Sequence, residues 1–298
     1  MKTRLILTGV LLLVCGLGSA TAQAPTATQP LVGCGIHGAI EVFCGIRQPE
    51  DLELAPGGKF LIATQYLNQG RGGGAVGATG GGMVLFDMTK KTSRKMPETA
   101  KADKTWGDPG CPGPIGDRLV SHGSSLRKRR DGKWALYVVN HGGRQSIEMY
   151  ELKPAAGSWA LVWRGCEVAQ HEYNDVAILP DGGFVGTYPS GLAGGATPAR
   201  PGGPTGYVAR WTPSKGESEV AGTRMRAPNG VVVSADGRYM YVNEFSARVV
   251  HKFDLSDGSE AKLVYFVFDL VYLDGSHLAK APLSERKRLL RELLGESA

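Results

Sequence analysis

APNGVVVSADGRYMYVNE, residues 227–244, reads as a polar residue, an apolar strand, an Asp-Gly hairpin and a second apolar strand. Three stretches before it share that plan: EDLELAPGGKFLIAT from Glu50, HGSSLRKRRDGKWALYVVNH from His122 and NDVAILPDGGFVGTY from Asn174. The leading residues Glu50, His122, Asn174 and Asn229 stand 72, 52 and 55 residues apart (50 to 122, 122 to 174, 174 to 229). A multi-strand repeat of roughly 40–50 residues is the mark of a β-propeller blade. Blades stacked around an axis bring their leading positions to one place. Four polar leaders near one axis amount to a candidate metal site.

The 298 residues are 42% hydrophobic and 21% charged, an ordinary globular composition, and 43 glycines suit an all-β chain rich in tight turns. The net charge of +6 comes with no Lys/Arg stripe interleaved with aromatics, so nothing supports a nucleic-acid partner. Lys2 and Arg4 precede an apolar run from Leu5 to Val14, and Ala20-Thr21-Ala22 offers a small-residue cleavage site. This predicts a signal peptide over 1–22, no membrane span, and a secreted or periplasmic location. Lipidation at Cys15 ranks behind simple export, because Val14 is bulky for such a site. Export leaves Cys34, Cys44, Cys111 and Cys166, for which three disulfide pairings are open.

Residues 23–33 read as a linker, 34–262 as a partial propeller and 263–298 as a tail of different character. Beyond the strands of the repeats, MVLFDM (83–88), IEMYEL (147–152), ALVWRG (160–165), YVARW (207–211) and RVVHKFDL (248–255) read as further strands. The Gly-rich stretches 69–82 and 190–206 and the Pro/Gly-punctuated stretch 106–117 read as loops. LVYFVFDLVYLDG, from Leu263, reads as one apolar strand. The segment after it reads as a helix, with Ser284 as N-cap and Gly295 as its close.

Glu50, Asp51, Asn174, Asp175 and Asn229 are oxygen donors at or beside the leading positions, a set that favours calcium over zinc. Singly, each would be a turn or backbone-capping residue; the shared phase across blades sets them apart. His122 has the same phase in the second repeat and His141 ends that repeat's next strand, so the two histidines are candidates for a base and its partner.

These strings, PEDLEL, SHGSSL, YVVNH, NDVAIL and APNGVVVSADGRYMYVNE in that order, resemble the paraoxonase/arylesterase family over about residues 45–255. That family consists of six-bladed calcium-dependent propellers related in architecture to the SMP-30/gluconolactonase group. The resemblance implies a catalytic calcium held by Glu50, Asn174 and Asn229 and a structural calcium held by Asp51 and Asp175. It also implies His122 as general base and His141 as its partner in a dyad. The activity implied is hydrolysis of small-molecule esters or lactones, with calcium polarising the carbonyl. The family's pattern further includes an Asp-Asn pair opening a fifth blade, and no such pair follows Asn229. The expectation is thus an all-β, incomplete propeller of about four blades with an impaired calcium site. Open propeller edges would invite self-association.

The tail, with LSERKRLLRELL, resembles a piece of the adenylation domain of ATP-dependent DNA ligases. No Lys-x-Asp-Gly motif accompanies it, so ligase activity is rejected. A gene junction is the simpler expectation and a genuine strand-helix cap the second. Two other functional readings stay open beside hydrolysis: a non-catalytic propeller that binds a ligand or partner, and a chimeric product without function.

Overall fold

The computed structural model describes residues 33–38, 40–66, 81–190, 203–255, 264–266, 272–273 and 276–294. The expected signal peptide and lipidation site, nearly all of the linker and most of the two Gly-rich loops lie outside them. The chain forms two compact units, Met1–Val42 and Phe43–Ala298. The described part of the first holds one hairpin, β1 (Gly35–His37) with β2 (Ile40–Val42).

The described residues of the second unit are all-β apart from one short 3₁₀ turn and one helix, and their principal sheets are four blades of a propeller. Blade one consists of β3 (Pro49–Leu54), β4 (Phe60–Gln65), β5 (Val84–Asp87) and β6 (Thr92–Lys95). β7 (Glu98–Ala100) then crosses to blade two, which contains β8 (Ser121–Lys128), β9 (Trp134–Asn140), β10 (Ser146–Ala155) and β11 (Ser158–Val168). There β7 runs parallel to β11 as a fifth strand. Blade three is β12 (Val176–Ile178), β13 (Phe184–Tyr188), β14 (Tyr207–Thr212) and β15 (Gly216–Glu219). Blade four is β16 (Pro228–Val233), β17 (Tyr239–Glu244), β18 (Val249–Asp254) and β19 (Val264–Phe266).

The first hairpin of each blade closes in the same way. Gly58, Gly132, Gly182 and Gly237 donate their backbone N–H to the carbonyls of Ala55, Arg129, Leu179 and Ser234 at 2.9–3.0 Å. Gly182 and Gly237 have φ of 88° and 78°, which explains the glycine that follows aspartate in these turns.

Strand alternation then builds the core between blades. In β9, Leu136 and Val138 point into the cluster shared with Ile62, Leu85 and Trp163, whereas Tyr137 and Val139 point into the cluster shared with Val176, Phe184 and Trp211. Both faces of that strand are therefore buried, which is why it reads as an unbroken apolar run. A third cluster joins blades three and four through Val185, Val208, Val231, Val233, Met240 and Phe253. On blades one and four, Leu52, Leu54 and Val232 are more than half exposed. Cys111 and Cys166 form a disulfide that closes a 55-residue separation and ties the irregular stretch before blade two to β11.

The described parts of the apolar stretch from Leu263 belong to two sheets. Val264–Phe266 completes blade four, whereas Tyr272–Leu273 (β20) pairs with Ser276–His277 (β21) in a separate hairpin. Helix α1 covers Leu283–Leu294, and the Pro282 carbonyl accepts from the N–H groups of Glu285 and Arg286. Ser284 thus lies inside the first turn and is not the cap; Gly295 lies outside the described residues.

Candidate active site

Each leading residue sits where its strand departs from regular pairing. The ladder shifts register between Pro49 and Leu52 in β3, between Ser121 and Ser124 in β8, and between Pro228 and Val231 in β16. The residues released by these bulges are Glu50-Asp51, His122-Gly123 and Asn229-Gly230. In blade three the ladder begins at Val176, directly after Asn174-Asp175. A bulge leaves residues unpaired and re-aims their side chains. The shared phase of the repeats is therefore a shared backbone irregularity at the head of the innermost strand.

Those innermost strands are laced side by side. Asp51 accepts the N–H of Ser124 on Oδ2 at 2.8 Å and the Ser124 hydroxyl at 3.2 Å. Gly123 N–H donates to the Asn174 carbonyl at 3.2 Å. Asp175 accepts the N–H of Val231 on Oδ2 at 2.7 Å, and the Thr187 hydroxyl donates to the Asn229 carbonyl at 2.6 Å. The hydroxyls of Thr64 and Thr187 accept the backbone N–H of Asp51 and Asp175 at 3.0 and 3.1 Å. The second residue of the repeat thus alternates, Asp51, Gly123, Asp175, Gly230. A Cβ on Gly123 would lie 2.3 Å from Asp175 Oδ1 and 2.7 Å from the Asn174 carbonyl, so Asp175 requires glycine at 123 in the neighbouring blade.

At the head of blade two, His122 and His141 are buried and joined through His122 Nδ1 and His141 Nε2 at 3.0 Å. His141 Nδ1 is 2.6 Å from Gln145 Oε1, and Gln145 Nε2 donates to Glu172 Oε1 at 3.3 Å. Tyr66 stacks on His122 with centroids 4.2 Å apart and meets His141 edge-on at 5.5 Å. Burial first, then the neighbouring His141, pushes the pKa of His122 down to about 3. Burial also lowers that of His141, opposed by the Gln145 hydrogen bond. Both rings are neutral near pH 7. His122 Nε2 lies 3.3 Å from Glu50 Oε1, so a ring nitrogen and a carboxylate from two blades face one point.

The carboxylates around this point share one electrostatic condition. Burial, then Asp51, raises the pKa of Glu50. Burial, then Asp51, takes Asp175 up to about 8, against the backbone N–H groups it accepts. Glu53, which accepts the Leu126 N–H at 2.9 Å, is pushed to about 8 by burial, then Asp51, with a further rise from Asp175. No lysine or arginine is among the groups that shift these three. A hard cation matches this uncompensated charge, and an all-oxygen donor set is of the kind calcium takes.

Among the described residues, no three His, Cys, Asp or Glu side chains form a group that could hold a metal ion by themselves. Asn229 Oδ1 accepts the Gly230 N–H at 3.0 Å and keeps a second lone pair. Asp51 and Asp175 are occupied by interblade amides, so lacing is a role they have in addition to any ligation. Contacts join Glu50 to His122 and His122 to His141. No hydrogen bond among the described residues joins the side chains of Asn174 or Asn229 to that pair.

Tyr66, Glu53, Gln145 and Glu172 were not singled out in the sequence. Glu53 carries a usable signal, since it lies one strand period beyond Asp51 on the same face. The other three reach the site through folded proximity alone.

Residues 72–278 match the family model described as the SMP-30/Gluconolactonase/LRE-like region. Among solved structures, the chain is similar to a gluconolactonase from Xanthomonas campestris at 16% identity, over 74% of this chain and 63% of that one, with a TM-score of 0.44. The periplasmic gluconolactonase of Pseudomonas aeruginosa aligns at 18% identity over 74% and 56% of the two chains, with a TM-score of 0.40. A calcium-binding regucalcin from Agrobacterium tumefaciens aligns at 13% identity over 75% and 60%, with a TM-score of 0.38. The chain spans less than two thirds of the length of each of these structures. No curated protein matches it.

Proposed function

Because the chain belongs to the SMP-30/gluconolactonase/LRE-like family, we propose that it is a calcium-dependent hydrolase of lactones and related carboxylic esters. The observation that carries this reading is the neutral His122–His141 pair whose outer nitrogen faces Glu50 at 3.3 Å. Glu50, Asn174 and Asn229 would hold the catalytic calcium, and Asp51 and Asp175 a structural one. When bound, the catalytic ion would supply Lewis-acid polarisation of the acyl carbonyl.

The remaining work falls to this chain's side chains. His122 Nε2 accepts a proton from water as the water oxygen attacks the acyl carbon, and returns it to the departing alkoxide. Glu50 stands where it stabilises the imidazolium formed in between. His141 holds the His122 ring through Nδ1, and Tyr66 covers its face. Export accompanies this reading, supported by the Cys111–Cys166 disulfide, which suits an oxidising compartment.

Hydrolysis of a γ- or δ-lactone and a phenyl ester, with and without chelator, tests the proposal. Chelation should abolish turnover and added calcium restore it. His122→Gln should lower kcat by ~10²–10⁴-fold. Turnover indifferent to chelator, or unchanged in His122→Gln, would contradict it.

A further inference from the structure

The hydrogen-bond chain through the dyad runs between two carboxylates, Glu50 and Glu172, and the Gln145 amide at the Glu172 end favours one direction. Glu172 is exposed and, as a carboxylate, only accepts. Its bond with Gln145 at 3.3 Å therefore takes the amide N–H₂, which turns Gln145 Oε1 toward His141. An amide oxygen accepts, so His141 must carry its proton on Nδ1, 2.6 Å away. His141 Nε2 is then bare and accepts from His122 Nδ1–H at 3.0 Å. His122 Nε2 is left as a lone pair 3.3 Å from Glu50 Oε1, an acceptor facing an acceptor, which a cation held by Glu50 favours over an Nε2–H donated to that carboxylate. Reversing any one bond would put a proton on that nitrogen and remove the base.

The segment that holds Gln145 is built to keep this order. Asn140 is fully buried; its amide oxygen accepts from Gly142 N–H at 2.9 Å and Val120 N–H at 3.0 Å. Its amide nitrogen donates to the Gly142 and Arg144 carbonyls and to the Ser146 hydroxyl at 2.9–3.1 Å. His141 N–H donates to the Val120 carbonyl at 3.0 Å, and the Gln145 carbonyl accepts from Ala169 at 3.0 Å. Backbone on both sides of the His141–Gln145 pair is thereby fixed. Glutamine takes up no proton near neutral pH, so the chain orients the dyad and does not conduct protons out of it.

We propose that Gln145 and Glu172 are positioning residues that lock the tautomers of His141 and His122 so that the His122 Nε2 lone pair faces the site. The inference rests on the reading of His122 as the base, but its core can be measured without turnover. Long-range ¹H–¹⁵N correlation on the full chain with labelled histidine should show both rings protonated at Nδ1 and bare at Nε2. Gln145→Met, which keeps shape and removes the acceptor, should give mixed tautomers at His141 and lower kcat about 10–100-fold with KM unchanged. The exchange Gln145→Glu with Glu172→Gln keeps an acceptor toward His141 and a donor behind it, and should restore both tautomer and kcat.

A wild-type His141 protonated at Nε2 would overturn the proposal, as would unchanged tautomers in Gln145→Met. If that variant does not fold, the wild-type spectrum and the exchange variant still decide. Locked tautomers in a protein that hydrolyses no lactone or ester would uphold the positioning role and defeat the hydrolase reading instead.

Discussion

Gly123 and Gly230 occupy the same position of the repeat, yet what surrounds them differs. A methyl group at Gly123 would collide with backbone, 2.5 Å from Asp175 Cα and 2.7 Å from the Asn174 carbonyl. At Gly230 the nearest atom is Asn243 Nδ2 at 3.0 Å, the movable end of a side chain. Gly123→Ala should therefore destabilise by ~1–3 kcal/mol and shift the Asn174–Asp175 segment, whereas Gly230→Ala should cost well under ~1 kcal/mol. Denaturant unfolding of the two variants checks this, and equal costs would contradict the steric distinction between the two glycines. The Asp/Gly alternation is written in the aligned repeats, but the clash that enforces glycine at Gly123 exists only in the folded blades. The histidine pair was legible only through its phase and a family resemblance. Gln145 and Glu172 were not legible, because 27 residues and two strands separate groups that share one hydrogen bond.

At the scale of elements, the apolar strands declared themselves and the polar edge strands did not. β6 (TSRK) and β15 (GESE) have no apolar alternation and take their conformation from the neighbour they pair with. The bulges at the strand heads were equally hidden, since an extra residue in a ladder exists only relative to its partner. One strand end carries a pH response. Glu167, near the end of β11, is buried with Oε2 unpartnered among the described residues. Its neighbour Glu217 is occupied by the hydroxyls of Tyr173 and Tyr188 at 2.7 and 2.6 Å. Burial first, then Glu217, raises the Glu167 pKa from 4.5 to about 8.

Below pH 4.5 folded and unfolded chains both hold this proton. Between pH 4.5 and 8 only the folded chain keeps it, so the group's contribution to stability declines as pH rises through that window and levels off above it. Relative to Glu167→Gln, the wild type should lose on the order of 2–4 kcal/mol of unfolding free energy between pH 5 and pH 8. Parallel stability profiles for the two proteins would contradict this assignment.

For the whole molecule, the order and number of described blades follow from the repeats, because each blade is a local hairpin plus two strands whose cores face its neighbours. The stretch after Leu263 was harder. Its apolar run gave one strand by pattern, but it serves two sheets, and pattern alone does not say where a chain leaves one blade.

The central claim is that the leading residues of separate blades form a single calcium-dependent site. Thermal unfolding of the full chain with and without calcium tests it most directly, comparing the wild type with a variant carrying Glu50→Gln, Asn174→Ala and Asn229→Ala. A ligand at 100 times its Kd stabilises by ~2.7 kcal/mol, so calcium should raise the wild-type midpoint several degrees more than that of the triple variant, which keeps only Asp51 and Asp175 as calcium ligands. An equal rise in both proteins, or none in the wild type, would contradict the claim.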